Sequence, residues 1–472
     1  MRGRSLAPPL AALAPLALLL LALLLGCAGE RAAAEPPRRV FLVTFDTLRA
    51  DHLGAYGYRR ATSPRFDALA GGGVLFERAI AQWPKTGASF ASMFTGRYPQ
   101  TTGLLQRAAL RVPAEYLTLP ELFQEAGYET VAVVSNPVLG AELGWDSGFD
   151  EYVQTWGRDA FPRDALAFRH LMNAPRVNEL AAPLLQRHAG DDKLFVWIHY
   201  TDPHAPYALP AGERNPFAGD GHGSDEPVPV RALRKYGLEG RRDRGFYVSQ
   251  YDANVRVADA HAGELLERAR ALGLLEDAVV VLTADHGESL GEHDSWFDHG
   301  PLPHNTTAHV PLAILGAGIA AERRVAAPVE LVDLYPTLRE LIAPDRAVAG
   351  LEGQSLLPLL SDAGGEGAEA FRYAFSEAGH RPSYYRSVQD RGWKLVQSLG
   401  GGRRRQAAPP RLALYDLAAD PLETRDLAAS RPEEVRRLRR ELLGWAATAD
   451  RRPAELSEDE EAKAALDALG YN

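Results

Sequence analysis

The sequence has very little cysteine and no excess of positive charge, and each shortage limits what the protein can be. Cys27 is the only cysteine among 472 residues, so no internal disulfide can form and stability must come from core burial or a bound metal. The formal net charge of −10 argues against a non-specific nucleic-acid binder. The basic clusters at 241–244 and 403–405 are short, and we expect solvated loops and no nucleic-acid partner.

Long apolar runs are equally scarce, and the run at 10–25 lies directly behind a basic N-terminus. It is short for a permanent transmembrane helix. It leads into Leu24-Leu25-Gly26-Cys27, which matches the lipobox of a bacterial lipoprotein. We therefore predict a signal peptide over 1–27, lipidation of Cys27 and a tether over 28–37. The protein would be lipid-anchored to a membrane of the bacterial cell envelope, with its folded part periplasmic or extracellular. A plain anchor or an uncleaved signal is the alternative.

The remaining composition is that of an ordinary globular protein, with 46% hydrophobic and 24% charged residues. Apolar runs with β-branched residues alternate with amphipathic segments, which indicates an α/β domain. We predict strands at 39–45, 129–136, 193–200, 278–284 and from 310, and helices at 117–128 and 247–272. Short strands between 372 and 417 and a helix at 432–448 predict a small antiparallel sheet with a helix. A Gly-rich break at 363–367 separates a large domain, 38–365, from a C-terminal subdomain, 366–472.

The segment PKTGASFASMFTGRYP, residues 84–99, combines turn residues with a short run of small and apolar residues. We predict a helix over 88–94 with Thr86 at its N-cap. Free backbone N–H groups and the helix dipole favour an anion at such a position. The Thr86 oxygen is therefore placed to face a phosphate or sulfate ester. On local sequence alone, a hydroxyl that merely caps a helix is the favoured interpretation, and an oxygen that faces the ester is the alternative.

Acidic and imidazole side chains directly follow two of the predicted strands. Asp46 follows the strand 39–45, and Asp285-His286 follows the strand 278–284. Ligands gather at the carboxyl ends of strands in open α/β sheets, and an adjacent carboxylate and imidazole suit one divalent cation. The two strand ends therefore predict a metal site.

Three other polar residues near these strands are expected to be structural, namely Asp51, His52 and His199. Asn136, at a strand end, is expected to turn the chain, and a contact with the site is the alternative. We expect polar loop groups that support the metal ligands at Glu288, Glu292, His293 and Asp294, and additional ligands are the alternative. The Gly- and Pro-rich stretch 208–243 is expected to be a surface insertion that shapes specificity.

Four stretches of the chain resemble the sulfatase family of the alkaline phosphatase-like superfamily. They are TGASFASMFTGRYP at 86–99, HYTDPHAPY at 199–207, DHGE at 285–288 and LYDLAADPLETRDLA at 414–428. The resemblance extends over nearly all of residues 38–470. It implies the alkaline phosphatase-like fold, a large mixed sheet flanked by helices plus a small C-terminal antiparallel sheet with a helix. It also implies a metal-dependent enzyme that acts on phosphate or sulfate esters.

The resemblance further implies roles for six residues. Thr86 falls at the position of the nucleophile. One divalent ion, Ca²⁺, Mn²⁺ or Zn²⁺, would be bound by Asp46, Thr86, Asp285 and His286. His204 corresponds to a histidine that contacts the anionic group of the substrate, and His299 would grip that anion or serve the leaving group.

Three positions depart from the family pattern and bear on the substrate. Thr86 stands where formylglycine sulfatases carry Cys or Ser, Phe90 stands where they carry Arg, and Thr47 replaces a carboxylate. A Thr nucleophile with an Asp-His pair resembles phosphodiesterases and phosphotransferases, so we expect a phosphodiester-type substrate. A true sulfuric ester hydrolase and a non-catalytic binding lipoprotein are alternatives. A two-metal site is another, although Asp202 and His204 are spaced as in the sulfatase motif.

Overall fold

The computed structural model describes residues 35–105, 111–156, 171–220, 226–235, 241–361, 369–380, 383–399 and 411–448. The predicted signal peptide with Cys27, most of the tether and the break at 363–367 lie outside these ranges, as does the predicted domain boundary. From Pro37 onward the chain forms one unit. Within the described ranges, no helix combines the length and the apolar character needed to span a membrane.

Fourteen strands account for the β-structure of the described residues. In chain order they are β1 (Arg39–Phe45), β2 (Val74–Ile80), β3 (Glu129–Val134), β4 (Glu151–Gln154), β5 (Leu194–Tyr200), β6 (Ala278–Ala284), β7 (Ser289–Leu290), β8 (Trp296–Asp298), β9 (His309–Gly316), β10 (Arg323–Glu330), β11 (Ala374–His380), β12 (Ser383–Gln389), β13 (Trp393–Ser398) and β14 (Leu412–Asp416).

The large sheet has eight strands in the order β10-β2-β9-β6-β1-β5-β3-β4. Five consecutive strands, β6, β1, β5, β3 and β4, run parallel to one another. β9 runs antiparallel to its neighbours β2 and β6. β5 and β6 are buried along their whole length, as expected for parallel strands that are covered on both faces. This confirms the predicted large mixed sheet.

Eleven helices lie in the described part of the chain. They are α1 (Pro64–Gly71), α2 (Thr86–Thr95), α3 (Pro99–Thr102), α4 (Leu119–Glu125), α5 (Ala174–Arg187), α6 (Val230–Lys235), α7 (Arg244–Ala271), α8 (Asn305–Ala308), α9 (Leu334–Ile342), α10 (Leu357–Leu360) and α11 (Pro432–Thr448). Short 3₁₀ turns lie at Ala50–His52, Gly54–Tyr56, Pro137–Leu139, Ala141–Leu143, Glu292–Asp294 and Leu331–Asp333. α4 is shorter than the predicted helix at 117–128 because Thr118 forms a capping box with Glu121 and fixes its start.

The C-terminal strands β11 to β14 form a four-stranded antiparallel sheet. α11 packs on it through Leu438, Leu442 and Trp445, and the Trp445 ring stacks on Phe375 at 4.9 Å. Tyr98 from the large domain joins the same core. The small sheet with its helix is therefore present as predicted, and its core is shared with the large domain.

Candidate active site

The candidate active site lies at the carboxyl ends of four adjacent parallel strands. Asp285 follows β6, Asp46 follows β1, His204 lies in the loop after β5, and Asn136 follows β3. All four residues are buried. The sheet order thus brings together residues that are far apart in sequence, at the edge where α/β folds bind ligands.

α2 carries Thr86 into this site from the side. The helix begins at Thr86, so the predicted N-cap position of Thr86 is wrong. Lys85 is the extended N-cap, with φ −148° and ψ 134°, because its carbonyl accepts the first helical hydrogen bond from Ser89 N at 2.9 Å. Thr86 Oγ1 does not cap the helix and lies 3.4 Å from His286 Nε2. Ser89 Oγ donates to the Asp285 carbonyl at 2.6 Å and ties α2 to the site.

Asp46, Asp285 and His286 form a group whose ligand atoms all lie within 4.8 Å of one another. His286 Nε2 is 4.0 Å from Asp46 Oδ1 and 3.5 Å from Asp285 Oδ2. Both of these oxygens are buried, and neither accepts a hydrogen bond from any group in the described part of the chain. Such oxygens are costly to bury alone, whereas carboxylate oxygen with imidazole nitrogen suits a divalent cation. The residues therefore fit the predicted metal.

The other oxygen of Asp46 is held by Asn136, whose Nδ2 donates to Oδ2 at 2.5 Å. Asn136 Oδ1 also accepts from Val138 N at 2.9 Å. The residue therefore turns the chain, as expected, and it also reaches the site, the alternative interpretation, where it positions the Asp46 carboxylate. His199 Nε2 lies 3.9 Å from Asp46 Oδ2.

Asp285 and His286 are oriented by backbone groups. Asp285 Oδ1 accepts from His286 N at 2.7 Å and from Thr47 N at 3.2 Å. Thr47 thus serves through its backbone, where the family pattern has a carboxylate. His286 Nδ1 lies 2.9 Å from the Gly287 carbonyl, which makes Nδ1 the donor and leaves the Nε2 lone pair facing the site. A Cβ at Gly287 would come within 2.3 Å of the Thr306 carbonyl, so only glycine fits there.

The ionisation of these residues shows how strongly they interact. Burial raises the pKa of Asp46, but the charge of His204 and the nearby His199 imidazole hold it well below its usual range. Burial and the charge of Asp46 raise the pKa of Asp285 well above its usual range. Burial lowers the pKa of His286 to about 4, so its imidazole is neutral at neutral pH, which is the form that binds a metal.

His204 and His299, the residues predicted to face the substrate, lie next to each other and to His286. Their ring centroids are 5.1 Å apart, and the His299 ring lies 4.4 Å from the His286 ring. Glu288, expected to be a polar loop group, is fully buried beside them, with Oε1 3.3 Å from His299 Nδ1. The pocket thus contains one more carboxylate than the resemblance implies.

The Phe90 side chain packs in an aromatic part of the core. Its ring lies 5.0 Å from Trp197 and 5.1 Å from His199. The position that would carry Arg in the family pattern therefore supplies no charge here. Lys85 brings a positive charge instead: its side chain lies along Gly300, and its charge contributes to the low pKa of His286.

The remaining polar residues named from the sequence lie in structural contacts. Asp51 and Glu292 each pair with Arg49, at 2.7 and 3.0 Å. His52 Nδ1 is 2.6 Å from Asp252 Oδ1. The exposed pair of Asp294 with Arg231, at 3.2 Å, lies at the surface.

A second cluster, which we call the docking cluster, contains His293, His304, Lys394 and Glu423. The two histidine rings stack at 3.7 Å. Glu423 Oε1 lies 3.2 Å from His304 Nδ1 and 3.0 Å from Lys394 Nζ, and Oε2 accepts from Asn305 N at 2.5 Å. This cluster joins the large domain to the C-terminal sheet. His304, to which the sequence assigned no role, contributes to it.

The fold and the site define an alkaline phosphatase-like α/β hydrolase. The family model described as Sulfatase matches residues 38–343, and the chain belongs to the sulfatase family, whose members hydrolyse sulfate or phosphate esters with a metal.

Individual relatives agree with this assignment. Arylsulfatase K of Gallus gallus is 27% identical over 89% of this chain and 85% of its own length. The solved structure of a 2-O GAG sulfatase superposes with a TM-score of 0.70, at 21% identity, over 91% of this chain and 96% of its own. A phosphonate monoester hydrolase from Silicibacter pomeroyi gives a TM-score of 0.69, at 20% identity, over 88% and 96%. The last two similarities show a shared fold.

Proposed function

We propose that the protein cleaves phosphate or sulfate esters through Thr86, with a phosphodiester-type substrate preferred and water or an alcohol as acceptor. The observation that carries the proposal is the position of Thr86 Oγ1, 3.4 Å from His286 Nε2 at the start of α2. The neighbouring oxygens Asp46 Oδ1 and Asp285 Oδ2 face the same space and accept no hydrogen bond from described groups. A hydroxyl beside a metal-binding group is the arrangement of an activated nucleophile.

The residues of the chain divide the work between them. Asp46, Thr86, Asp285 and His286 would hold one divalent cation, which lowers the pKa of a nearby hydroxyl and polarises the ester. Thr86 Oγ1, after losing its proton to water, forms a bond to phosphorus or sulfur while the leaving oxygen departs with the bonding electron pair. His204 and His299 face the charge that develops on the transferred group. Water or an alcohol then displaces Thr86 from the covalent intermediate.

The preference for phosphorus rests on two positions. Threonine cannot yield the formylglycine aldehyde, and Phe90 is committed to the aromatic core. The phosphonate monoester hydrolase among the structural neighbours supports phosphorus chemistry on this fold. Sulfate-ester hydrolysis is the second candidate, because arylsulfatase K and the 2-O GAG sulfatase are named for it.

Hydrolysis of matched nitrophenyl esters tests the proposal. The full chain is assayed on a sulfate, a phosphate monoester, a phosphodiester and a phosphonate monoester with added Ca²⁺, Mn²⁺ or Zn²⁺. We expect diester turnover that disappears in Thr86→Ala. Sulfate turnover in preference to diester would establish the second candidate. Turnover that Thr86→Ala leaves intact would refute the nucleophile, and metal binding without turnover of any ester would favour a binding lipoprotein.

We also propose that Cys27 carries a lipid that anchors the protein in the bacterial cell envelope, with its catalytic domain periplasmic or extracellular. The sequence Leu24-Leu25-Gly26-Cys27 supports this. Metabolic labelling with a radioactive fatty acid in a bacterial host should label the wild-type protein and not Cys27→Ala. Equal absence of label from both, with the protein in the soluble fraction, would refute it.

A further inference from the structure

A second group of metal-ligating side chains lies beside the first. His204, Glu288 and His299 are buried, and a ligand atom from each lies within 4.8 Å of the others. Glu288 directly precedes β7 and His299 directly follows β8. Ser289 of β7 pairs with Asp298 of β8, so this two-stranded ribbon brings its two flanking residues together. His204 arrives separately, from the loop after β5.

The second group is in contact with the first through two histidine rings. The His299 ring stacks on the His286 ring, with centroids 4.4 Å apart and planes at 30°. The His204 ring lies 5.1 Å from the His299 ring. Enzymes that use two metal ions on a phosphoryl group place the ions about 3.5–4 Å apart. Because His286 of the first group stacks on His299 of the second, ions bound by the two groups would be close neighbours.

Glu288 is fixed so that one oxygen faces the histidines. Tyr207 donates its hydroxyl to Oε2 at 2.5 Å, and Tyr207 packs edge-on against Tyr251 at 5.9 Å and Phe297 at 5.5 Å. The other oxygen lies 3.3 Å from His299 Nδ1. Two imidazoles with one glutamate are the protein ligands of many catalytic zinc sites. They do not suit Ca²⁺, which prefers oxygen.

The charge of the pocket also favours a second cation. Asp46, Asp285 and Glu288 are three buried carboxylates within the two groups, whereas a phosphate or sulfate ester is itself an anion. When the histidines are neutral, the form that binds a metal, one divalent ion together with Lys85 only neutralises these carboxylates. A second divalent ion gives the excess of positive charge that binding an anionic ester requires.

We propose that His204, Glu288 and His299 bind a second divalent transition-metal ion, Zn²⁺ or Mn²⁺, beside the ion of Asp46, Asp285 and His286. This rests on the proposed function, because the second ion would face the same ester as Thr86. His204 and His299 then act on the substrate by holding a cation. The protein would bind two ions, where the sequence predicts one.

The test counts the ions bound by the full chain. Metals are removed with EDTA, the protein is titrated with Mn²⁺ or Zn²⁺, and bound metal is measured by mass spectrometry after gel filtration. We expect two ions per chain with Mn²⁺ or Zn²⁺ and one with Ca²⁺. Two Mn²⁺ ions at this spacing should also give an exchange-coupled electron paramagnetic resonance signal. One Mn²⁺ per chain, or two without coupling, would overturn the proposal.

Two variants and one control locate the second ion. Glu288→Gln keeps the size of the side chain, and His299→Ala removes a nitrogen ligand; each should bind one Mn²⁺ and lose the coupled signal. His293→Gln, in the docking cluster, should retain both ions. If the second ion survives both site variants, or leaves in His293→Gln instead, the proposed site is wrong. If neither site variant folds by circular dichroism, the count and coupling in the wild type decide.

The metal count tests the second metal site and the ester assay tests the nucleophile, so either proposal can be refuted while the other stands. Two coupled Mn²⁺ ions in a protein whose turnover survives Thr86→Ala would refute the nucleophile and keep the second site. A single ion in a protein whose turnover requires Thr86 would refute the second site and keep the nucleophile. Glu288 would then be a positioning residue for His299.

Discussion

Asp46, Asp285 and His286, here called the active-site group, contain the same residue types as the docking cluster, namely carboxylates and imidazoles. The two clusters differ in whether a lysine accompanies the carboxylate. In the docking cluster, Lys394 Nζ lies 3.0 Å from Glu423 Oε1, and the Asn305 N–H donates to Oε2 at 2.5 Å, so the buried carboxylate has a permanent cation beside it. In the active-site group, the ion-pair partners of Asp46 and Asp285 among the residues that the structure describes are the imidazoles of His199 and His286. One cluster contains its own cation, and the other is built to receive one.

The ionisation of the two clusters differs in the same way. Burial raises the pKa of Glu423, but the charges of Lys394 and His304 lower it to about 2. Burial and the charge of Asp46 instead raise the pKa of Asp285 well above its usual range. A group of histidines and carboxylates is therefore a metal site only where no lysine or arginine already neutralises it. This difference can be tested from both sides.

The largest effect is expected at Thr86. Thr86→Ala removes the nucleophile and should lower kcat by about 10⁴-fold or more, as removal of a covalent nucleophile does in other hydrolases. Steady-state kinetics on the best ester of the panel measures this. Thr95→Ala, at the far end of the same helix, is the matched control and should change kcat by less than about 3-fold, since Thr95 Oγ1 only donates to Ala91 O. Equal losses in both variants would indicate damage to α2.

Lys394→Met should produce the next largest effect, on stability. It leaves Glu423 buried without its cation, which typically costs about 3–5 kcal/mol in the free energy of unfolding. Urea denaturation measures the loss, while kcat and metal content of the folded protein should stay at wild-type values. Lys193→Met is the matched control, because Lys193 only contacts the Ala126 carbonyl and the Tyr128 ring. A loss of metal in Lys394→Met would show that the two clusters are not separate.

Removal of metal should destabilise the protein, in large part through Asp46, Asp285 and His286. Metal at 100 times its Kd stabilises a folded protein by about 2.7 kcal/mol, so EDTA should lower the Tm of the wild type. Asp285→Asn removes a ligand of this ion and the repulsion with Asp46, so EDTA should lower its Tm by less than that of the wild type. Thermal scans with Zn²⁺ and with EDTA make the comparison. An equal EDTA effect in both proteins would place the stabilising ion elsewhere.

The sequence alone predicted the strands with a clear apolar pattern and the polar residues that directly follow them. β1, β6 and α11 lie at the predicted residues, and Asp46, Asp285 and His286 meet because their strands are adjacent in the sheet. Residue type predicts an N-cap at Thr86, because threonine caps helices and lysine does not, yet the backbone places the N-cap at Lys85 and begins the helix at Thr86. Local pattern is therefore a guide to strands and their ends more than to helix boundaries.

Contacts between distant segments were not accessible in this way. Glu288 meets His299 only because the β7–β8 ribbon folds back, and Lys394 meets Glu423 through the C-terminal sheet. Asn136 reaches Asp46 from the end of a strand two places away in the sheet order. A single sequence gives the residue types at these positions but not which of them face one another.

The smallest effect should come from removing both charges of the docking cluster at once. In the double variant Lys394→Met/Glu423→Gln, the glutamine still accepts from Asn305 N, and no unpaired buried charge remains. Replacing a buried ion pair by neutral groups of similar size is often nearly neutral, so urea denaturation should show a loss within about 1 kcal/mol of the wild type, well below that of Lys394→Met. If the double variant were as unstable as the single one, the interaction would not depend on charge, and the contrast with the active-site group would fail. Recovery would establish that Lys394 occupies in the docking cluster the place that a metal ion takes beside Thr86.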